Sequence, residues 1–147
     1  MPKFEREVEI DAPVEKVWSV LTNTSYWPQW FPGMASVSNF SAMNEQGQFE
    51  WSDEGRSGKG TILKMEPNKR LEIMTEVGDD KDSHTFVLKS TGGFLGMADD
   101  ETKIEYTLDT MMGGGIFSNF VAGGNPKDTM RVKKAMHTLR KLVESLE

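Results

Sequence analysis

Residues 8–33, VEIDAPVEKVWSVLTNTSYWPQWFPG, decide the fold of this chain. Apolar residues alternate with glutamates up to Ile10, which is the period-two pattern of a strand. Pro13 then suits the start of a helix, because its missing N–H costs nothing there. Apolar residues follow at helical spacing and form one stripe of Val14, Val17, Trp18 and Leu21. The stretch therefore predicts three elements: a strand over 3–10, a helix over 13–22 and a second helical turn near 25–31.

The pattern of the remaining sequence predicts several strands followed by one long helix. Each predicted strand is polar on one side, so we expect an antiparallel sheet with one face in water. From Val132 to Leu146, apolar residues recur at helical spacing, which predicts a helix over 126–146 that presses onto the sheet. The predicted fold class is α+β, a curved antiparallel sheet of six to seven strands around a long C-terminal helix, with two short helices after the first strand. Alternation places the later strands near 35–42, 47–53, 60–66, 69–77, 83–90 and 101–110.

The same pattern resembles a known superfamily. The residues that carry the resemblance are Ile10, Ala12, Pro13, Val17, Trp18, Leu21, Trp27, Pro28, Trp30 and Pro32, followed by a turn expected at Gly58–Gly60. Together they resemble the START-like, birch-pollen-allergen-like superfamily (SRPBCC), which includes polyketide cyclase/dehydrase and lipid-transport proteins. The resemblance implies a single helix-grip domain over 1–147, with a cavity between the sheet and the C-terminal helix. It implies little about activity, since one fold hosts many functions.

The composition narrows the class of protein. A chain of 147 residues can bury a substantial core as one domain. It has no cysteine, which excludes disulfides and thiolate metal sites and suits a reducing cytoplasm, where we expect the protein to reside. No apolar run is long enough for a membrane span, and the start of the chain lacks the basic-then-apolar layout of a signal peptide. A formal net charge of −6 argues against nucleic acid as a partner.

Charge is uneven along the chain. Residues 127–147 hold six basic side chains and three acidic ones. A basic helix face can attract anionic lipid headgroups, so transient contact with a membrane is one hypothesis. A solvated helix face is the simpler interpretation and the one that we favour. The pattern predicts no oligomeric state.

Large and soft apolar side chains are expected on the inward faces of the strands and the long helix. Methionine adapts to irregular space and to varied ligands, and the chain has ten of them. Such side chains can simply fill a core, whereas the resemblance implies that they line a cavity. The residues that we expect to contact a ligand are Phe49, Trp51, Ile73, His84, Phe86, Tyr106, Phe117, Phe120, Met130 and Met136.

Polar side chains share these inward positions. His84, Tyr106, Thr75 and Thr102 have the parity of apolar neighbours, as does Arg6. A buried polar group needs a hydrogen-bond partner, and that partner is either nearby protein or a ligand oxygen. His84 and Tyr106 are the candidate catalytic residues, because either side chain can protonate or orient an oxygen.

Two glycine-rich segments are candidates for control of ligand access. Residues 90–98 carry Phe94 and Leu95 at an expected hairpin tip, which either folds back onto the protein or forms a lip or a contact surface. Residues 111–124 carry four large apolar side chains between glycines that can act as hinges. We expect this second segment to be a mobile gate; a plain connector is the alternative.

Familiar metal and cofactor motifs are missing from the sequence. The two histidines, His84 and His137, form no H-x-x-x-H pair, and no dinucleotide or phosphate-loop pattern occurs. We therefore expect no metal and no cofactor. The favoured function is binding or transport of a small hydrophobic ligand, such as a lipid, an isoprenoid or a polyketide-like molecule. The alternatives are a cyclase/dehydratase-like enzyme that uses the same cavity and a co-chaperone-like interaction protein.

Overall fold

The computed structural model describes residues 3–31, 36–38, 41, 44–53, 56–77, 80–90, 101–111 and 126–146. Its strands are β1 (Lys3–Ile10), β2 (Ser36–Ser38), β3 (Gln48–Asp53), β4 (Arg56–Glu66), β5 (Arg70–Val77), β6 (Asp80–Ser90) and β7 (Thr102–Met111). Its helices are α1 (Val14–Leu21), α2 (Trp27–Trp30, preceded by the 3₁₀ turn Thr24–Tyr26) and α3 (Pro126–Ser145). The predicted strands and helices are confirmed, although β2 is shorter than predicted and β4 begins earlier.

Seven strands within the described ranges form one antiparallel sheet in the order β1-β7-β6-β5-β4-β3-β2. Each strand from β2 to β6 pairs with the next one along the chain, and β1 pairs with β7. The register sets Ile73 opposite His84 and Phe86 opposite Tyr106. Because residues directly opposite each other share a face of the sheet, these side chains gather on one inner face. The arrangement is the predicted α+β helix-grip fold.

The core lies between this inner face and α3. The apolar stripe of α3 is confirmed, since Val132, Ala135, Met136, Leu139 and Val143 are all buried. The main contacts of α3 are with β1, β7, α1 and α2. The helix therefore lies along one side of the sheet, and aromatic side chains that belong to α2 or follow it pack against β3 and β6. No helix of the described ranges is both long enough and apolar enough to cross a bilayer.

Met130 faces water, and the prediction that it faces the core is wrong. Its side chain is 62% exposed. At 3.6 residues per turn, Met130 lies on the side of α3 opposite to the centre of the buried stripe, which Leu139 marks. The chemical softness of a methionine describes what it can pack against, but only the helical phase decides which way it points.

The expected turn at Gly58–Gly60 is also wrong, because both glycines lie inside β4. Gly58 is paired with Trp51 and Gly60 with Phe49 on the neighbouring strand. A Cβ atom at Gly60 would stand 2.0 Å from Phe49 Cζ, and one at Gly58 would stand 2.0 Å from the Glu76 carbonyl oxygen. The glycines are there because the aromatic rings and a backbone oxygen occupy the space of a side chain, which is how cross-strand aromatics compensate for glycine in a sheet.

Candidate functional site

Three polar side chains from neighbouring strands form a hydrogen-bonded chain in the core. His84 Nδ1 lies 2.6 Å from Tyr106 Oη, and His84 Nε2 lies 3.0 Å from Thr75 Oγ1. Tyr106 is 0% exposed, His84 1% and Thr75 6%. We refer to Thr75, His84 and Tyr106 as the buried polar trio. Their predicted inward placement is confirmed.

Strand register brings the buried polar trio together. His84 lies on β6 between Ile73 of β5 and Leu108 of β7. Thr75 and Tyr106 are each two residues away from those direct partners, so both are diagonal neighbours of His84 on the same face. Diagonal neighbours are within reach of long and aromatic side chains. The alternation that the sequence shows on each strand therefore becomes a cross-strand chain only in the folded sheet.

Proton counting shows what the trio can offer to a neighbouring group. A neutral imidazole donates from one ring nitrogen and accepts at the other. If Nδ1–H donates to Tyr106, then the Thr75 hydroxyl donates to Nε2 and the Tyr106 O–H is directed at a group outside the trio. In the other tautomer the Tyr106 hydroxyl donates to Nδ1, Nε2–H donates to Thr75, and the Thr75 O–H is directed outside. In both tautomers, one hydroxyl of the trio acts as a donor towards its surroundings.

Aromatic rings surround the polar trio. Phe86 stacks on Tyr106 with ring centroids 4.5 Å apart, and Phe31 lies 4.7 Å from the His84 ring. Trp30 packs nearly perpendicular to Phe86, with centroids 5.5 Å apart. The polar atoms thus lie in an apolar setting, where hydrogen bonds are strong and a lost partner is costly.

The segment WPQWF, residues 27–31, reaches this site because its short helix ends just before Pro32. Trp27 anchors the segment: it is fully buried, its Nε1 donates to the Leu21 carbonyl at 2.8 Å, and its ring meets Phe49 at 5.2 Å. After α2, Phe31 turns to extended backbone at φ −67°, ψ 127°. A residue that precedes a proline, as Phe31 precedes Pro32, is disfavoured in the helical region. The chain therefore leaves the helix at Phe31, whose ring lies against His84.

The structure brings most of the predicted ligand-contacting residues to the inner face. The buried ones are Phe49, Trp51, Ile73, His84, Phe86, Tyr106 and Met136. Phe117 and Phe120 lie outside the described residues, as do Phe94 and Leu95 of the expected hairpin tip. The inward orientation of the buried residues is confirmed; their contact with a ligand stays a prediction.

Arg6 and Thr102, the two other polar residues that were predicted to face inward, are not part of the buried polar trio. Arg6 shares the inner face, since it pairs directly with Tyr106, but it is exposed, so the expectation that it is buried is wrong. Thr102 is fully buried, and its hydroxyl donates to the Ala12 carbonyl at 2.8 Å. That bond connects β7 to the residues just before α1. The hydroxyl proton of Thr102 is therefore already used within the fold.

Sequence reasoning left Trp30 and Phe31 out of the site. Both are only 3% exposed and both contact rings next to the polar trio. The signal was the density of aromatic residues between Trp27 and Phe31, which is high for a surface turn. Reading that segment as part of the core would have found them, although alternation and helical spacing do not apply to so short an element.

The site residues touch almost no open space in this conformation. Ile73, His84, Phe86, Tyr106 and Met136 are each at most 1% exposed. The recesses that described residues line elsewhere have a different character: one of about 560 Å³ is bordered by Ser36, Ser52, Glu50, Lys59 and Glu76, among others. Contact between a ligand and the polar trio therefore requires the atoms that cover the trio to move. No cluster of metal-ligating side chains occurs in the part of the chain that the structure describes.

A family model described as "Polyketide cyclase / dehydrase and lipid transport" matches residues 1–144. A comparison with curated proteins finds no match. Among solved structures, protein MLL2253 from Mesorhizobium loti is 20% identical, with a TM-score of 0.71, over 99% of this chain and 98% of that chain. Protein TTHA0849 from Thermus thermophilus is 16% identical, with a TM-score of 0.72, over 98% of each chain.

A third similar structure is a point mutant of norcoclaurine synthase from Thalictrum flavum in complex with a transition state analogue. It is 12% identical, with a TM-score of 0.69, over 97% of this chain and 94% of that chain. At these identities, the likeness shows a shared fold and nothing about the reaction.

Proposed function

The chain belongs to the polyketide cyclase/dehydrase and lipid transport family, and from that premise we propose that it binds a small hydrophobic molecule beside the buried polar trio. The ligand would be a lipid, an isoprenoid or a polyketide-like compound, held between the sheet and α3. The protein would work in the cytoplasm, a location that rests on the cysteine-free sequence.

The observation that carries this proposal is the polar trio inside an aromatic cluster. Hydrogen-bonded polar groups in a core are often no more stabilising than apolar side chains of the same volume. Three of them, on three strands, are therefore not explained by stability. Their outward-directed hydroxyl gives an apolar site one oriented donor, and a few oriented polar groups on apolar walls are the usual composition of a small-molecule site.

Affinity for the ligand would come chiefly from the burial of apolar surface. Burial contributes about 25 cal/mol per Å² removed from water, less the cost of ordering the ligand and moving core side chains. Phe49, Ile73 and Phe86 would supply walls, and the trio would orient an oxygen. Since these residues are closed to water without a ligand, binding is expected to be coupled to an opening of the core.

Titration with 11-(dansylamino)undecanoic acid tests the proposal. We expect saturable fluorescence enhancement and its reversal by unlabelled fatty acid, together with a co-purifying apolar molecule in native mass spectrometry. Tyr106→Phe should weaken binding of the carboxylate probe several-fold, the worth of one hydrogen bond. Thr107→Ala, on the opposite face of the same strand, is the matched control. Absence of both saturable binding and any co-purified molecule would contradict the proposal.

The 2.6 Å contact between His84 Nδ1 and Tyr106 Oη favours a second candidate function, proton transfer to and from a bound carbonyl compound. In the tautomer whose Tyr106 hydroxyl donates to Nδ1, the Tyr106 oxygen would take a proton from the carbon next to the carbonyl as its own proton passes to the imidazole. The Thr75 hydroxyl would donate to the carbonyl oxygen. Incubation of 2-acetylnaphthalene in D₂O would then place deuterium in its methyl group faster than buffer does. His84→Gln should remove the excess exchange and leave binding of the ketone within a few-fold. Exchange at the buffer rate in the wild type would exclude this activity for the ketone.

A further inference from the structure

Trp30 carries the one side-chain nitrogen or oxygen that, in the described part of the chain, is buried without a hydrogen-bond partner. The two other indoles buried in the core are paired with backbone. Trp27 Nε1 donates to the Leu21 carbonyl at 2.8 Å, and Trp51 Nε1 donates to the Lys59 carbonyl at 3.0 Å. A buried donor without a partner costs stability, so an unpaired one calls for an explanation.

Two separate ring contacts connect Trp30 to the buried polar trio. The Trp30 ring lies 5.5 Å from Phe86, at 81°, and Phe86 in turn stacks on Tyr106. Trp30 also lies 5.3 Å from Phe31, whose ring is 4.7 Å from His84. The unpaired donor and the trio therefore belong to one aromatic cluster, approached from α2 on one side and from the sheet on the other.

We propose that Trp30 Nε1 is a ligand-recognition donor and that the ligand carries an acceptor oxygen, such as a carbonyl, on an otherwise apolar frame. This inference rests on the proposed function and narrows it. When core rings part to admit the ligand, an acceptor oxygen gives the indole N–H the partner that the closed core lacks. A hydrocarbon of the same shape leaves the donor unpaired and binds more weakly. The expected difference in Kd is about fivefold, the worth of one neutral hydrogen bond.

A pair of probes with the same shape separates the acceptor from the apolar frame. 2-Acetylnaphthalene has a carbonyl oxygen where 2-isopropenylnaphthalene has a methylene carbon. Both are titrated into ¹⁵N-labelled protein while the indole N–H resonances are followed. We expect the ketone to bind about fivefold more tightly and to move the Trp30 indole proton downfield. The indoles of Trp27 and Trp51, which already donate to backbone, are internal controls and should move little.

Trp30→Phe assigns the resonance and tests the donor directly. The variant removes the N–H and keeps an aromatic ring, so the ratio of the two Kd values should fall about fivefold from its wild-type value, whatever the change in overall packing does to both probes. Equal binding of the two probes to the wild type, with the Trp30 resonance unmoved, would overturn this assignment alone. Binding of neither naphthalene to protein that does bind the dansyl fatty acid would also overturn this assignment alone. Failure of all three probes, with no co-purified molecule, would overturn the proposed function and this assignment with it.

Discussion

The two halves of the inner sheet face are built on different principles. On β3 and β4, Phe49 and Trp51 lie over Gly60 and Gly58, so each ring fills the space that the opposite residue leaves free. On β5, β6 and β7, three of the inward side chains are polar, and they bond to each other through His84. One half is fixed by shape, and the other half is held by hydrogen bonds.

This difference indicates where the core can accommodate a ligand. Rings that interlock with glycine backbone have no alternative place to go, because the strand that carries the glycines is itself held against a backbone oxygen of the next strand. Hydrogen-bonded side chains can exchange one partner for another at a small net cost, provided that the new partner is also polar. We therefore expect the β5–β7 half to adapt to a ligand and the β3–β4 half to act as a rigid wall.

The largest expected change in the free energy of unfolding comes from the rigid wall on β3 and β4. Phe49→Ala should lower the free energy of unfolding by about 3–5 kcal/mol, because it empties a fully packed position. Gly60→Ala alone should cost less, since its Cβ would stand 2.0 Å from the tip of the Phe49 ring. In the double variant the ring that would clash is gone, so the two costs should sum to more than the cost of the double. Urea denaturation of the four proteins measures this coupling, and additive costs would contradict the interlocking.

Gly58→Ala should cost about 3 kcal/mol, at the upper end of the range for overpacking. The new Cβ would meet the Glu76 carbonyl oxygen at 2.0 Å, and backbone cannot swing aside as a side chain can. Ser57→Ala is the control, because Ser57 is exposed on the same strand and such changes usually stay within about 0.5 kcal/mol. Similar urea midpoints for the two variants would show that β4 is not held against β5 as described.

On the adaptable half, Tyr106→Phe and Thr75→Val should each cost about 1–2 kcal/mol, because each removes the hydroxyl that one nitrogen of His84 bonds in the trio. The two hydroxyls share one imidazole, whose tautomer depends on both. We therefore expect the two costs to be non-additive by at least about 0.5 kcal/mol. Thermal and urea unfolding of the single and double variants give the coupling. Strict additivity would mean that the trio does not act as one chain.

The outer face of the same strands should give the smallest effect. Lys103 lies 3.2 Å from Glu7 and 3.6 Å from Glu105. The hydrogen bond with Glu7, and then the negative charges of Glu7 and Glu105, raise the pKa of Lys103 above its ordinary 10.5. Its stabilising contribution is therefore complete below pH 10.5 and disappears as the pH rises through the raised pKa.

Lys103→Gln should accordingly lower the Tm slightly at pH 7, and the difference from the wild type should shrink at strongly alkaline pH. Glu7 is exposed and Lys103 is only half-buried, so salt should also reduce the difference in Tm. Melting curves at pH 7 and above the raised pKa check both statements. A difference that grows with pH would mean that the ammonium group is not what Lys103 contributes.

The sequence by itself determined the elements and the faces. Alternation in β5–β7 and the stripe of α3 repeat over many residues, so each position is supported by its neighbours, and His84, Tyr106 and Thr75 were placed inward correctly. The same reasoning failed where no pattern repeats, and where the helical phase decides which way a side chain points. Met130 was placed inward by its side-chain type, and Gly58 and Gly60 were predicted to form a turn although they lie within β4 and face aromatic partners on β3.

Only the tertiary structure decided which inward residues meet. Hydrogen bonds from His84 to Thr75 and Tyr106 depend on the register of three strands, and the contact of Phe31 with His84 depends on how a four-residue helix folds back over the sheet. Periodicity is a local property, fixed by the geometry of a single strand or helix. Contacts between strands join residues far apart in the chain, and the packing of the whole core selects them.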